Sequence, residues 1–117
     1  MGLRAIRGAI QVEANTPEAI ASGVKELLPA ILEANQLTTD GVISVLLTCT
    51  PDLNAAFPAA FAREIGFGAV PLLCAVEMDV PGSLPLVIRV MFHAELKDKA
   101  NHVYLRGAEV LRQDLIQ

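Results

Sequence analysis

Three charged side chains stand where charge is costly. Arg7 lies in the apolar stretch Leu3–Val12, Glu77 closes the apolar run Val70–Val76, and Arg89 sits inside the run Leu86–Phe92. A charge in an apolar strand is expensive unless it is paired or faces a polar, water-filled site. Two arginines against one carboxylate leave one positive charge in excess. Guanidinium forks hold carboxylates bidentately, so a small carboxylate-bearing ligand would complete the set. The competing reading is a structural ion pair or triad, since buried charges pair with one another.

The other chemistry-bearing residues add walls and donors rather than a reaction. Cys74 lies three residues before Glu77, with no histidine placed to act as its base. It reads either as a pocket wall and weak donor or as an inert core thiol. Cys49 and Cys74 lack the spacing of a disulfide or zinc framework. His93 and His102 make no metal-ligand spacing with any cysteine or carboxylate pair. Tyr104 is the single tyrosine, so its phenol is the one such donor a pocket could use. Arg63 and Glu64 read as a solvated helix face and Asp52 as a turn residue. Glycine-rich nucleotide loops, GxSxG and HExxH are all missing. The residues alone thus describe an anion pocket without a nucleophile, an acid–base dyad, a metal or a cofactor.

These side chains need a scaffold, and the pattern supplies one. In Leu3–Val12 the residues Ile6, Ile10 and Val12 share one parity, and Arg7 shares the other with Leu3, Ala5 and Ala9. Gly8 permits close backbone approach. Thr16, Pro17 and Glu18 form a helix start. Ile20, Val24, Leu27, Leu28, Ile31 and Leu32 then recur at helical spacing, with Pro29 predicting a kink or break. Val42–Thr48 is apolar enough to predict a central strand covered on both faces. A short helix is expected over Pro58–Ile65, ending at Gly66, with Phe57, Phe61 and Ile65 on one face. Val70–Val76 and Leu86–Glu95 read as two further strands around a Pro/Gly loop. His102–Leu105 reads as a helical turn or a short extended piece, and Ala108–Leu111 as a last edge strand. The order β-α-β-α-β-β predicts an α+β fold, a mixed sheet with helices on one face. An apolar second face would need a partner, which a ring of identical subunits could supply.

Size and composition set the frame. The 117 residues suit one domain over 1–117, with 53% hydrophobic residues, 19% charged and a net charge of −4. Nine scattered Lys and Arg and the negative balance argue against a nucleic-acid partner. No apolar run approaches the roughly 20 residues of a membrane span, and the start has no export signal. A cytoplasmic location with no membrane partner is the expectation.

The segments Ile6-Arg7-Gly8-Ala9, Thr50–Ala59 (TPDLNAAFPA), Val70–Val80 (VPLLCAVEMDV), Ile88–Met91 (IRVM) and His102–Leu105 (HVYL) resemble chorismate mutase, in its trimeric α+β class. Their joint order and spacing cover nearly the whole chain. The resemblance implies an isomerase that converts chorismate to prephenate by a [3,3]-sigmatropic rearrangement, without cofactor, in aromatic amino-acid biosynthesis. It implies a homotrimer, a pseudo-barrel of three sheets with active sites between subunits. Arg89 would face the ether oxygen, Arg7 and Tyr104 a substrate carboxylate, and Glu77 with Cys74 the ring hydroxyl. Leu73, Cys74, Ala75, Val76 and Glu77 would form one wall, with Phe57 packing on substrate and Arg63 at the mouth. Phe57 and Leu73–Cys74 would come from one subunit and Arg7, Glu77, Arg89 and Tyr104 mainly from its neighbour. Ala60 stands where the family commonly has lysine and Leu73 where it has threonine. Little follows Arg112, so the tail that closes over the site in relatives is expected to be short or missing. A non-catalytic trimeric binding module and a purely structural triad are the alternatives.

Overall fold

A computed structural model describes residues 2–112 of the chain. The strands are β1 (Gly2–Gln11), β2 (Val42–Cys49), β3 (Leu72–Val76), β4 (Val87–Leu96) and β5 (Val103–Leu105). Helix α1 (Pro17–Ala34) follows β1, and α2 (Pro58–Ala62) precedes β3. The sheet order is β3-β2-β4-β1-β5, with β4 antiparallel to β1 and β2, and the outer strands β3 and β5 parallel to their neighbours. The fold is a mixed-sheet α+β fold, as the element order predicts.

Strand parity sorts the sheet into two faces. Ile6, Ile10, Val45, Leu47, Ile88 and Phe92 are buried beneath the helices, together with Ile20, Val24, Leu27, Leu28 and Ile31 of α1. Helix and sheet approach closely because two glycines allow it. A Cβ on Gly8 would overlap the Ile31 side chain, and one on Gly23 would come within 2.5 Å of Val12. The α1 start is as expected: Thr16 Oγ1 accepts from the Ala19 backbone N–H at 3.1 Å, a capping bond worth about 1 kcal/mol.

Five expectations change. Helix α1 runs unbroken through Pro29; Lys25, one turn earlier, and Pro29 are both exposed, so water can satisfy the carbonyl that Pro29 leaves unpaired. Strand β2 is helix-covered on one face only, with Leu46 exposed on the other and Ile43 exposed at the bulge between Val42 and Ser44, because both helices lie on the same side. Phe57 does not share a face with Phe61 and Ile65: it precedes α2 in extended conformation and is exposed, while the other two pack on the core. The helix expected over Pro58–Ile65 changes winding at Arg63, and a wider turn over Arg63–Phe67 closes through Gly66 at φ +100°. Ala108–Leu111 is a 3₁₀ turn rather than a strand. Arg106 and Gly107, both at positive φ, reverse the chain after β5 and seat Ala108 against Ala9 and Val87.

Two ambiguous segments are also settled. His102–Leu105 is extended at its core, as β5, and Gly8 does mark a close approach. The tail beyond Arg112 lies outside the described residues.

Candidate active site

Register decides which of the singled-out side chains meet. Thr48 is paired with Ala75 on one side and with Arg89 on the other; Arg89 is paired with Ala9, and Ala9 with Tyr104. One step along, Leu73, Leu46, Met91 and Arg7 form the next row. Both rows belong to the face opposite the helices. Each isolated charge therefore points away from the apolar core, which is why an otherwise apolar strand tolerates it.

On this face Arg7, Thr48, Arg89, Met91, Tyr104 and Arg112 line a concavity of about 310 Å³. Glu77 stands beside it, just past β3, where its backbone N–H donates to Cys49 O at 2.9 Å. The Glu77 carboxylate is gripped from two sides. Thr48 Oγ1 donates to Oε2 at 2.6 Å, and Arg89 Nε lies 3.3 Å from Oε1. Arg89 keeps 46% of its side chain exposed, so the ion pair is solvent-screened and contributes modestly to stability. Arg7 makes no ion pair with Glu77 among the described residues; the triad expected as an alternative is a pair, and Arg7 lies in the concavity beside it.

Arg7 is held from behind. Its backbone N–H donates to His102 Nδ1 at 2.9 Å, extending the short β1–β5 ladder by one side-chain bond. Burial pushes the His102 pKa down, and the positive Arg7 and Arg112 push it further. The neutral imidazole, the form that can accept this bond, is thereby favoured.

A second concavity of about 440 Å³ opens at the β3 edge, lined by Cys49, Phe57, Cys74, Ala75 and Val76 among others. Cys74 has the parity of the helix-covered face, and Phe57 is 75% exposed. Burial pushes the Cys49 thiol up to about 12, helped by Cys74, Glu77 and Asp52, so Cys49 is no thiolate nucleophile at neutral pH. Asp52 is the turn residue expected, accepting from the Leu86 backbone N–H at 3.0 Å.

Within one chain the structure thus gathers Arg7, Arg89 and Tyr104 with Glu77 alongside, and separately gathers Phe57, Cys74, Ala75 and Val76. Leu73 lies exposed on the open face and lines neither concavity; Arg63, exposed at the end of α2, lines neither as well. Thr48, Leu46 and Met91 were not anticipated. They face Arg7 and Arg89 only through strand pairing, and no local sequence signal reports pairing. No three His, Cys, Asp or Glu side chains gather to hold a metal among the described residues. The guanidinium forks of Arg7, Arg89 and Arg112, with a phenol and a carboxylate, can bind an organic dianion and offset negative charge that develops on it.

Comparison with known proteins gives a consistent result. The family model for chorismate mutase type I matches residues 3–115. Chorismate mutase AroH of Thermus thermophilus is 51% identical, covering 97% of this chain and 96% of that protein. Chorismate mutase AroH of Bacillus subtilis is 45% identical, covering 98% and 94%. A solved chorismate mutase from Clostridium thermocellum superposes with a TM-score of 0.88 at 46% identity, covering 91% of this chain and 97% of that one.

Proposed function

Because this chain belongs to the type I chorismate mutase family, we propose that the concavity of Arg7, Arg89 and Tyr104 is the catalytic half of its active site. The Phe57–Cys74 concavity of a neighbouring subunit forms the other half. The enzyme is an isomerase, converting chorismate to prephenate in phenylalanine and tyrosine biosynthesis. In this [3,3]-sigmatropic step an ether C–O bond breaks as a C–C bond forms, within one cyclic shift of electrons. No proton needs to move, which agrees with a site built of cations, a phenol and a carboxylate rather than an acid–base dyad. The work left to the protein is to hold a flexible dicarboxylate in its reactive shape and to stabilise charge on the departing oxygen.

Arg89 faces that ether oxygen. Arg7 and Tyr104 hold a substrate carboxylate, and Glu77 and Cys74 meet the ring hydroxyl. Leu73, Ala75 and Val76 line the wall with them, Phe57 packs on the substrate, and Arg63 sits at the mouth. The observation that carries this reading is the pairing of Arg89 with Glu77 through Nε, in a concavity that also contains Arg7 and Tyr104.

A homotrimer is supported by what a single chain leaves uncovered. Leu46 and Leu73 are exposed on the open face, and Val76, Met78 and Val80 at and beyond the end of β3; exposed apolar side chains in this number mark an interface. No helix among the described residues is long and apolar enough to cross a membrane. Both cysteines are free thiols, which suits the reducing cytoplasm.

The test follows the loss of chorismate absorbance. Wild type converts chorismate, and Arg89→Ala loses at least about 100-fold in kcat, the scale of a removed oxyanion donor. Wild type without turnover sinks the enzyme reading; Arg89→Ala with near-normal kcat sinks the assignment of Arg89.

A further inference from the structure

We propose that Thr48 is a positioning residue for catalysis, acting on Arg89 through Glu77. The inference rests on the reading of the Arg7–Arg89 concavity given above.

Glu77 follows the last paired residue of β3, so only its backbone bond to Cys49 ties it to the sheet. Its carboxylate needs a side-chain anchor to stay in one orientation. The Arg89 contact, at 3.3 Å, is long for a charge-assisted N–H···O bond, which runs at about 2.7–2.9 Å. The Thr48 contact, at 2.6 Å, falls within the roughly 2.5–2.7 Å of a strong O–H···O⁻ bond. The hydroxyl therefore sets the carboxylate's rotation, and the guanidinium accommodates to it. Thr48 suits the task. It is paired with Arg89 on β4 and with Ala75 on β3, it is half-buried in the concavity wall, and its β-branched side chain restricts χ1.

The consequence lies in which Arg89 nitrogens remain available. With Oε2 held by Thr48, the nearest approach of Glu77 to Arg89 is Oε1 to Nε. The two terminal nitrogens make no hydrogen bond among the described residues and are left for substrate. Without the hydroxyl, the carboxylate can turn to a two-point pair with the guanidinium. That pair would compete with substrate for the nitrogens facing the breaking bond. Thr48 thus keeps the site's own anion from occupying the guanidinium edge that the reaction needs.

The experiment measures kcat and KM for chorismate in Thr48→Val and Thr48→Ser, each made in wild type and in Glu77→Ala, with thermal melts to confirm folding. Thr48→Val keeps the shape without the hydroxyl; its kcat falls about tenfold, an activation change of about 1.4 kcal/mol, while KM moves by less than about twofold. Thr48→Ser recovers kcat to within about threefold of wild type, and in Glu77→Ala the Val and Ser variants differ by less than about twofold. Thr48→Ala reads the same loss if the valine protein does not fold. A valine variant with wild-type kcat overturns the proposal. So does a serine variant as slow as valine, or an undiminished valine effect in Glu77→Ala. If wild type itself fails to turn over chorismate, the functional reading falls first; if only the Thr48 variants behave unexpectedly, it stands and Thr48 drops out.

Discussion

Arg7 and Arg89 are chemically alike and differently employed. In the proposed site Arg89 works on charge that exists only while the ether bond is breaking, so its loss appears in kcat. Arg7 holds a carboxylate that is charged before, during and after the reaction. An interaction of that kind stabilises substrate and transition state together. Arg7→Ala should therefore raise KM by roughly 10-fold or more, the worth of a hydrogen bond to a charged group, and lower kcat less. Steady-state kinetics with chorismate decide it: a loss confined to kcat would move Arg7 to the reacting bond. Tyr104 sits within the same concavity as both arginines, where a neutral phenol can donate without altering the charge balance.

At the scale of elements, β1 does two jobs with adjacent residues. Arg7 faces the open side, and Gly8 faces α1 so closely that a methyl group would overlap Ile31. Gly8→Ala should destabilise the fold by about 1–3 kcal/mol, the cost of overpacking a dense core, visible as a lower midpoint in urea; an unchanged midpoint would mean α1 shifts freely, contrary to this packing. Strand β5 holds β1 through three paired residues and the His102 bond to the Arg7 backbone. His102 has a folded pKa lowered from 6.5 by burial, then by Arg7 and Arg112. The unfolded chain therefore binds the proton more readily. The stabilisation is complete above pH 6.5 and is lost as pH falls through the lowered folded value. His102→Asn, which can accept the same bond without titrating, should flatten stability against pH across that acid window. Equal pH slopes for the two proteins would remove His102 from the account.

At the scale of the whole molecule, one chain presents two separate concavities, so the proposed assembly makes an unusual demand. Arg89→Ala damages one half, and Phe57→Asp damages the other. Each homotrimer should be nearly inactive. Mixing the two after denaturation and refolding together should restore activity, because some interfaces then pair two intact halves. Refolded mixtures no more active than the sum of the parents would place the entire site within one chain. Sedimentation of wild type should give three times the 12.5 kDa chain mass, since the open face leaves Leu46 and Leu73 uncovered in a monomer.

Much of this was legible in the chain alone. Apolar runs and periodicity located β1 to β4 and α1, and alternation in β1 already set Arg7 opposite Ile6 and Ile10. The misplaced charges at Glu77 and Arg89 marked a polar site, because a burial cost needs no structure to be recognised. Ordered motifs across the chain also carried the family. What stayed hidden depends on contacts between distant residues. Pro29 looked like a break because propensity cannot register that the unpaired carbonyl would reach solvent. Ala108–Leu111 looked like a strand because its composition does not reveal the left-handed pair Arg106–Gly107 that turns the chain. Thr48, an ordinary strand threonine by itself, acquires a role only when pairing sets β2 between β3 and β4 and brings its hydroxyl to Glu77. Local periodicity selects elements and faces; long-range register selects neighbours, and in this protein the site is made of neighbours.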